Sequence, residues 1–171
     1  MGAVALGQRR RRVTADRGGS GAVTRGQAHL REGLWRYVLH GSVPTALTAP
    51  VIYSLLVPFL ALDVWVVAYQ AICFRAWGVA RVRRRDYLVL DRHRLEYLNG
   101  LEKMHCLYCS YANGLLAYVR EVASRTEQYW CPIRHATRPR DPHERYGGFV
   151  RYGDARSYRT ELPALRAQLK K

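Results

Sequence analysis

The sequence has little lysine and few acidic residues for its length. Lysine stands only at positions 103, 170 and 171, and 13 acidic residues face 28 lysines and arginines, which gives a net charge of +15. This charge is not typical of enzymes that act on small neutral substrates. It favours polyanions, either anionic lipid head groups or nucleic acid. Because the arginines flank an apolar run, we predict a lipid bilayer with anionic head groups as the partner and consider nucleic acid the weaker alternative.

Several common signals are also missing. The apolar stretch from Met1 to Leu6 precedes the first arginines instead of following them, so it does not predict a secretory signal. Without such a signal, four cysteines fit a reducing compartment and favour ligands or free thiols over disulfides. No glycine-rich phosphate loop and no Ser-His-Asp order is present. The sequence therefore leaves open whether the protein is an enzyme.

The N-terminal part has two predicted segments. Residues 1–28 are rich in glycine and arginine without apolar periodicity, which predicts a disordered tail. In residues 29–40, Leu30, Leu34 and Tyr37 lie at helical spacing with charged residues between them. This pattern predicts an interfacial helix that leads into a membrane.

An apolar run follows, from Val38 to Phe74, interrupted by a single charge at Asp63. Its length of roughly 37 residues exceeds the 20 or so that one span needs. Arginines precede and follow the run, and the positive-inside tendency then places both ends in the cytoplasm. We predict a membrane hairpin over residues 41–75 that turns between Pro58 and Asp63, with a re-entrant hairpin, a single span or a soluble helix pair as alternatives.

Residues 77–85 form a basic collar after the apolar run, and we expect it to contact acidic lipids. Residues 86–171 then have a globular pattern and predict a cytoplasmic, mainly α-helical domain. Apolar periodicity predicts helices over residues 91–104 and 111–129. Asn113-Gly114 is a turn dipeptide, which makes a later start of the second helix, near Leu115, plausible.

Four residues in this domain have the spacing of metal ligands. Cys106 and Cys109 form a C-x2-C pair, and Cys131 and His135 form a C-x3-H pair. Zinc prefers four tetrahedral thiolate and imidazole donors, so this set predicts a structural zinc site, with iron or an iron–sulfur cluster as the minor possibility. The joint site requires that the intervening helix begin late or that its ends fold back, because a helix of about 19 residues is roughly 28 Å long.

The sequence is compatible with three functions. The first is a membrane-anchored, zinc-containing module that acts as a binding or scaffolding protein with an unknown protein partner. The second is a membrane thiol oxidoreductase, in which Cys106 attacks and Cys109 resolves; this needs Cys106 near a helix N-terminus, where the thiol pKa falls. The third is nucleic-acid binding, in which tyrosines and Trp130 among the arginines would stack bases.

Several strings resemble an uncharacterised family of small bacterial membrane-associated proteins. They are DRHRL at 91–95, YLN at 97–99, CLYCSYANG at 106–114 and EQYWCPI at 127–133. The resemblance covers about half of the chain and extends to the apolar run, but not to residues 1–28. It implies a bacterial inner-membrane protein and carries no established activity.

Overall fold

The computed structural model of the chain describes residues 27–33, 36 and 43–170. The predicted tail over 1–28, apart from residues 27 and 28, and half of the predicted interfacial helix over 29–40 lie outside these residues. Ala28–Leu30 forms a short 3-10 turn and Arg31 is extended. The described part is mainly helical, as predicted, and within it the only β-type pairing is an isolated parallel bridge between Ile133 and Val150.

Four α-helices of a dozen residues or more organise the described chain: α1 at Val43–Ser54, α2 at Leu56–Tyr69, α3 at Gly100–Trp130 and α4 at Ala155–Ala167. A π-helical segment, Gln70–Phe74, and a last turn, Arg75–Trp77, continue α2. The 31 residues Leu47–Trp77 thus form one helix with a single irregular residue at Leu55. We call Leu47–Trp77 the apolar helix.

The predicted hairpin turn between Pro58 and Asp63 is not formed, because both residues lie inside α2. Pro58 is the third residue of α2, where a missing N–H is tolerated since the first four N–H groups of a helix have no partner within it. The proline cannot bond the carbonyl of Ser54, four residues back, and this explains why α1 ends at Ser54. The effect of Pro58 is a local irregularity, and the chain continues as one helix.

The chain reverses at Gly78, not at Pro58. Gly78 has φ +67, a left-handed conformation that glycine adopts without strain. The N–H of Val79 donates to the carbonyl of Phe74 at 2.8 Å, which closes the C-terminal cap. Residues 79–99 then return along the apolar helix, so that α3 runs parallel to it. Tyr53 contacts Tyr108 near the start of both helices, and Trp77 stacks on Tyr129 near their ends.

The helix α3 is longer than predicted and has no break at Asn113-Gly114. It begins after Asn99, whose side chain accepts from the Glu102 N–H while Glu102 accepts from the Asn99 N–H, a reciprocal capping box. Gly114 is buried against the backbone of the returning segment: a Cβ there would lie 2.7 Å from the carbonyl oxygen of Tyr87. Glycine at this position permits close packing and does not mark a turn.

The core lies between the apolar helix, α3 and the returning segment. Phe74 and Leu115 are fully buried, and Val66, Val79, Val82, Tyr118, Val122 and Leu169 complete the cluster. Leu169 connects the C-terminus to the core, because its carbonyl accepts from the Ala80 N–H at 2.8 Å. The end of the chain therefore closes over the C-terminal half of the apolar helix.

Candidate membrane-contacting surface

The apolar helix buries one face against α3 and the returning segment. The residues that point inward recur every three or four positions, as on one side of an α-helix. They are Phe59, Leu62, Asp63, Val66, Tyr69, Gln70, Phe74 and Trp77. We call this set the inner face. Its polar members lie among apolar side chains, and each finds hydrogen-bond partners on the neighbouring elements.

Asp63 is the acidic member of the inner face and is only 7% exposed. Arg84 from the returning segment donates to it through two nitrogens, with Nε at 2.8 Å from Oδ1. The hydroxyl of Tyr111 on α3 donates to Oδ2 at 3.0 Å. Three donors thus neutralise a carboxylate whose burial would otherwise be costly. Asp63 joins three elements of the fold.

Gln70, which is 1% exposed, makes a second polar junction one π-helical turn from Phe74. Its amide donates to the hydroxyl of Tyr118, and its carbonyl oxygen accepts from the Val82 N–H at 2.8 Å. Nearby, the hydroxyls of Tyr69 and Thr126 lie 2.9 Å apart. The backbone of the returning segment and the tyrosines of α3 therefore satisfy the polar groups of the inner face.

On the opposite side of the apolar helix, the side chains between positions 57 and 72 are apolar, and no other described residue covers them. Every exposed residue between positions 57 and 72 is apolar: Val57, Pro58, Leu60, Ala61, Val64, Trp65, Val67, Ala68, Ala71 and Ile72. We call this set the outer face. Val57, Val64 and Trp65 are 72%, 70% and 75% exposed. In the most apolar 18-residue stretch of the helix, only 11% is buried.

The polarity of this helix is therefore the reverse of a water-soluble surface helix. Asp63 and Gln70 are buried, whereas Val64, Trp65 and Ile72 are exposed. In water, a surface helix buries its apolar stripe and exposes its polar residues. An exposed apolar patch of this extent marks a contact with lipid or with another protein. By length and composition the apolar helix is also sufficient to cross a membrane.

The four predicted metal ligands do not converge. Cys106 and Cys109 lie in the second and third turns of α3, Cys131 is its C-terminal cap, and His135 follows in the loop. At 1.5 Å per residue, the helix places Cys131 about 33 Å from Cys109. Among the described residues no three histidine, cysteine or acidic side chains are grouped to hold a metal ion. The joint site depended on a late helix start, and the capping box at Asn99 fixes an early one.

The thiol-redox alternative also loses its structural basis. Cys106 is the seventh residue of α3, so the N-terminal dipole, which acts within the first turn, does not reach it. Cys106 and Cys109 are free thiols inside a regular helix. Side chains at this spacing have Cβ atoms about 5–6 Å apart, whereas a disulfide requires about 3.5–4.5 Å. Joining them would require local unwinding.

His135 and the tyrosines have packing roles. The His135 ring stacks on Tyr146, with 5.9 Å between ring centroids, and its backbone N–H donates to the Tyr146 hydroxyl at 2.8 Å. Tyr118 and Tyr111 are held in the inner-face junctions described above. Tyr129 lies between Trp77 and the guanidinium of Arg166, which is 4.8 Å from its ring centroid. Tyr111, Tyr118 and Tyr129 are therefore not open to stack on bases.

A charged network stabilises the C-terminal half of α3. Glu121 accepts from Arg125 at 2.8 Å and from Arg145 at 2.7 Å, and Arg145 also donates to Gln128. Burial opposes ionisation of Glu121, but the hydrogen bonds from Arg145 and Arg125 outweigh it and hold the pKa of this carboxyl below its usual value. The network ties the loop at Glu144–Gly148 to α3.

The sequence pattern assigned Asp63 to a turn and did not identify its partners Arg84 and Tyr111, or the second junction at Gln70. The available signal was the helical spacing of Phe59, Asp63, Val66 and Gln70 within the apolar run.

Comparison with known families, curated proteins and solved structures found no significant match. The resemblance to small bacterial membrane-associated proteins therefore stays a prediction.

Proposed function

We propose that this protein is a membrane-bound, non-enzymatic binding or scaffolding module that inserts the outer face of the apolar helix into a lipid bilayer. The observation that carries the proposal is the reversed polarity of this helix: Asp63 and Gln70 are buried, and all ten exposed residues between positions 57 and 72 are apolar. A bilayer supplies the apolar environment that the outer face lacks in the described chain.

Charge supports the lipid surface as the partner. The arginines Arg81, Arg83 and Arg85 are exposed beside the apolar helix, and Arg75 is exposed at its end. Each basic residue near an anionic leaflet contributes about 1 kcal/mol of attraction. Because the cytoplasmic leaflet carries the anionic lipids, we place the protein at the cytoplasmic side of a bacterial inner membrane, with residues 86–171 in the cytoplasm.

Zinc has no comparable support, since the four predicted ligands lie apart along α3. Binding or scaffolding is favoured over catalysis because the side chains with the most hydrogen bonds, at Asp63, Gln70 and Glu121, are engaged with the protein's own groups. The module would thus anchor the polar surface of α3 and α4 to the bilayer, where a protein partner reaches it.

Vesicle flotation of the full chain tests the proposal. We expect it to float with vesicles of phosphatidylcholine and phosphatidylglycerol, and to bind more weakly to phosphatidylcholine alone or at high salt. Val64→Glu on the outer face should lower partitioning about tenfold, because a carboxylate is poorly tolerated among acyl chains. Ala155→Glu, an exposed position at the start of α4, is the matched control and should float normally.

Two results would contradict the proposal. If Val64→Glu floats as well as the unsubstituted chain while both remain helical by circular dichroism, the outer face does not contact lipid. If the protein does not float and forms defined oligomers that Val64→Glu dissociates, the outer face binds a second copy of the chain instead.

A further inference from the structure

Membrane binding through the apolar helix allows two orientations, across the bilayer or along its surface. We propose that the helix lies in the plane of one leaflet, with the outer face among the acyl chains and α3 on the water side. This inference rests on the membrane binding proposed above and adds its geometry. It differs from the hairpin and single-span predictions, because no residue of the helix then reaches the far leaflet.

The segments that contact the apolar helix carry charged residues at each level along it. Near Tyr53 the neighbours are His105 and Tyr108, in the turns of α3 that directly follow Glu102 and Lys103. At Asp63 the neighbour is Arg84, in an arginine run with exposed Arg83 and Arg85.

Further along, Gln70 contacts the backbone of Val82, which lies between Arg81 and Arg83. At Trp77 the stacked Tyr129 ring carries the guanidinium of Arg166. From Tyr53 to Trp77, the covered side of the apolar helix thus contacts segments that carry charged residues.

A crossing helix would take these charges into the hydrocarbon. A span needs about 20 residues, and each 20-residue stretch within Leu47–Trp77 contains Asp63 together with Tyr53 or Gln70. The segments packed at these levels would enter with it. An arginine or lysine near the bilayer centre costs about 2.5–3.5 kcal/mol on insertion scales. The free-energy cost of burying several such charges exceeds the gain from deeper insertion, because the outer face contacts lipid in either orientation.

In-plane binding immerses the outer face, which carries no charged residue. The outer face is apolar over 16 residues, about 24 Å of helix, and an interfacial helix immerses such a face by roughly 5–10 Å. Exposed Trp65 lies in the middle of the face, and tryptophan favours the head-group boundary. Exposed Arg75 terminates the face where the helix ends, and the arginines of the returning segment remain at head-group level.

Oriented circular dichroism of the unsubstituted full chain in aligned phosphatidylcholine–phosphatidylglycerol bilayers tests the orientation. The measurement suits this chain because α3 runs beside the apolar helix in the same direction, so both 31-residue helices contribute to the orientation signal. We expect the spectrum of helices parallel to the membrane surface. A spectrum of helices along the bilayer normal would overturn the inference and leave membrane binding intact. Failure to float in the preceding experiment would remove both.

Spin labels provide an independent measurement. We would place single cysteines at Val57, Val64 and Ile72, with the native cysteines changed to serine and the helical content checked by circular dichroism. In-plane binding predicts immersion depths that agree within a few ångströms. A spanning helix predicts depths that change along the bilayer normal by about 22 Å between the first and last positions. A label at Ala155 is the water-side control.

Discussion

The apolar helix and α3 have the same length and run side by side, yet their uncovered sides differ. Helix α3 packs on the apolar helix with one side, and the returning segment, the loop at Glu144–Gly148 and α4 cover much of the rest. Its remaining surface includes charged residues such as Arg120. The apolar helix is covered on its inner face alone, and its outer face carries no charge between positions 57 and 72.

This difference shows that burial in the fold does not follow hydrophobicity here. In α3, the buried positions are mainly apolar, such as Leu115 and Val122, and the charges are at least partly exposed or form ion pairs. In the apolar helix, Asp63 and Gln70 point inward, and under the proposed membrane binding only protein groups could satisfy their hydrogen bonds. Polar residues thus identify the protein-facing side of the apolar helix, whereas apolar residues identify that side of α3.

The largest effect should come from separating α3 from the returning segment. We expect Gly114→Ala to lower the free energy of unfolding by about 2 kcal/mol, because its Cβ would meet the Tyr87 carbonyl at 2.7 Å and backbone must move. Urea denaturation in mild detergent, followed by circular dichroism, measures it. Gly100→Ala meets no atom within 4 Å and is the control. Equal stabilities of the two variants would contradict the close packing.

The second largest loss of stability should come from breaking the ion pair between Arg84 and Asp63 on the inner face. Arg84→Met leaves Asp63 with a single donor, Tyr111, and should cost about 2 kcal/mol. Combining it with Asp63→Leu should restore much of the loss, because a matched apolar pair replaces the charges. Arg85→Met, whose side chain is largely exposed, serves as control. Additive losses in the double variant, measured in the same denaturation assay, would show that the two side chains act independently.

The third prediction concerns Glu121 on α3 and the pH dependence of the free energy of unfolding. Since the folded pKa of Glu121 lies below its usual value of 4.5, its contribution is fully present above that value and is lost as pH falls through the folded pKa. We expect Glu121→Gln to lose about 1–2 kcal/mol at neutral pH and to show a smaller further loss in acid than the unsubstituted chain. Glu161→Gln, at an exposed position on α4, should leave the pH profile unchanged.

The smallest effect should follow metal removal. Because α3 holds Cys109 and Cys131 about 33 Å apart, we expect chelation to change neither helical content nor the denaturation midpoint. Serine substitution of Cys131, which is exposed, should be similarly mild. One tightly bound zinc per purified chain, released together with helicity, would show that the chain adopts a different arrangement around the predicted ligands.

Much of the fold was predictable from local pattern. Periodicity identified the amphipathic helix through residues 111–129, and Pro132 predicted its end at Trp130. The length of the apolar run identified the long apolar helix. Errors arose where a local signal has two physical meanings: Pro58 was interpreted as a turn but occupies the first turn of a helix, and Gly114 was interpreted as a turn but permits close packing.

The sequence by itself determined helix content, the charge excess and the existence of one long apolar segment, because these depend on composition and on neighbours within a few residues. It could not determine that this segment is one helix with Asp63 and Gln70 on its protein-facing side. Those features depend on contacts with Arg84, Tyr111 and Tyr118, residues 21 to 48 positions away. Only the tertiary structure brings such groups together and leaves the outer face uncovered.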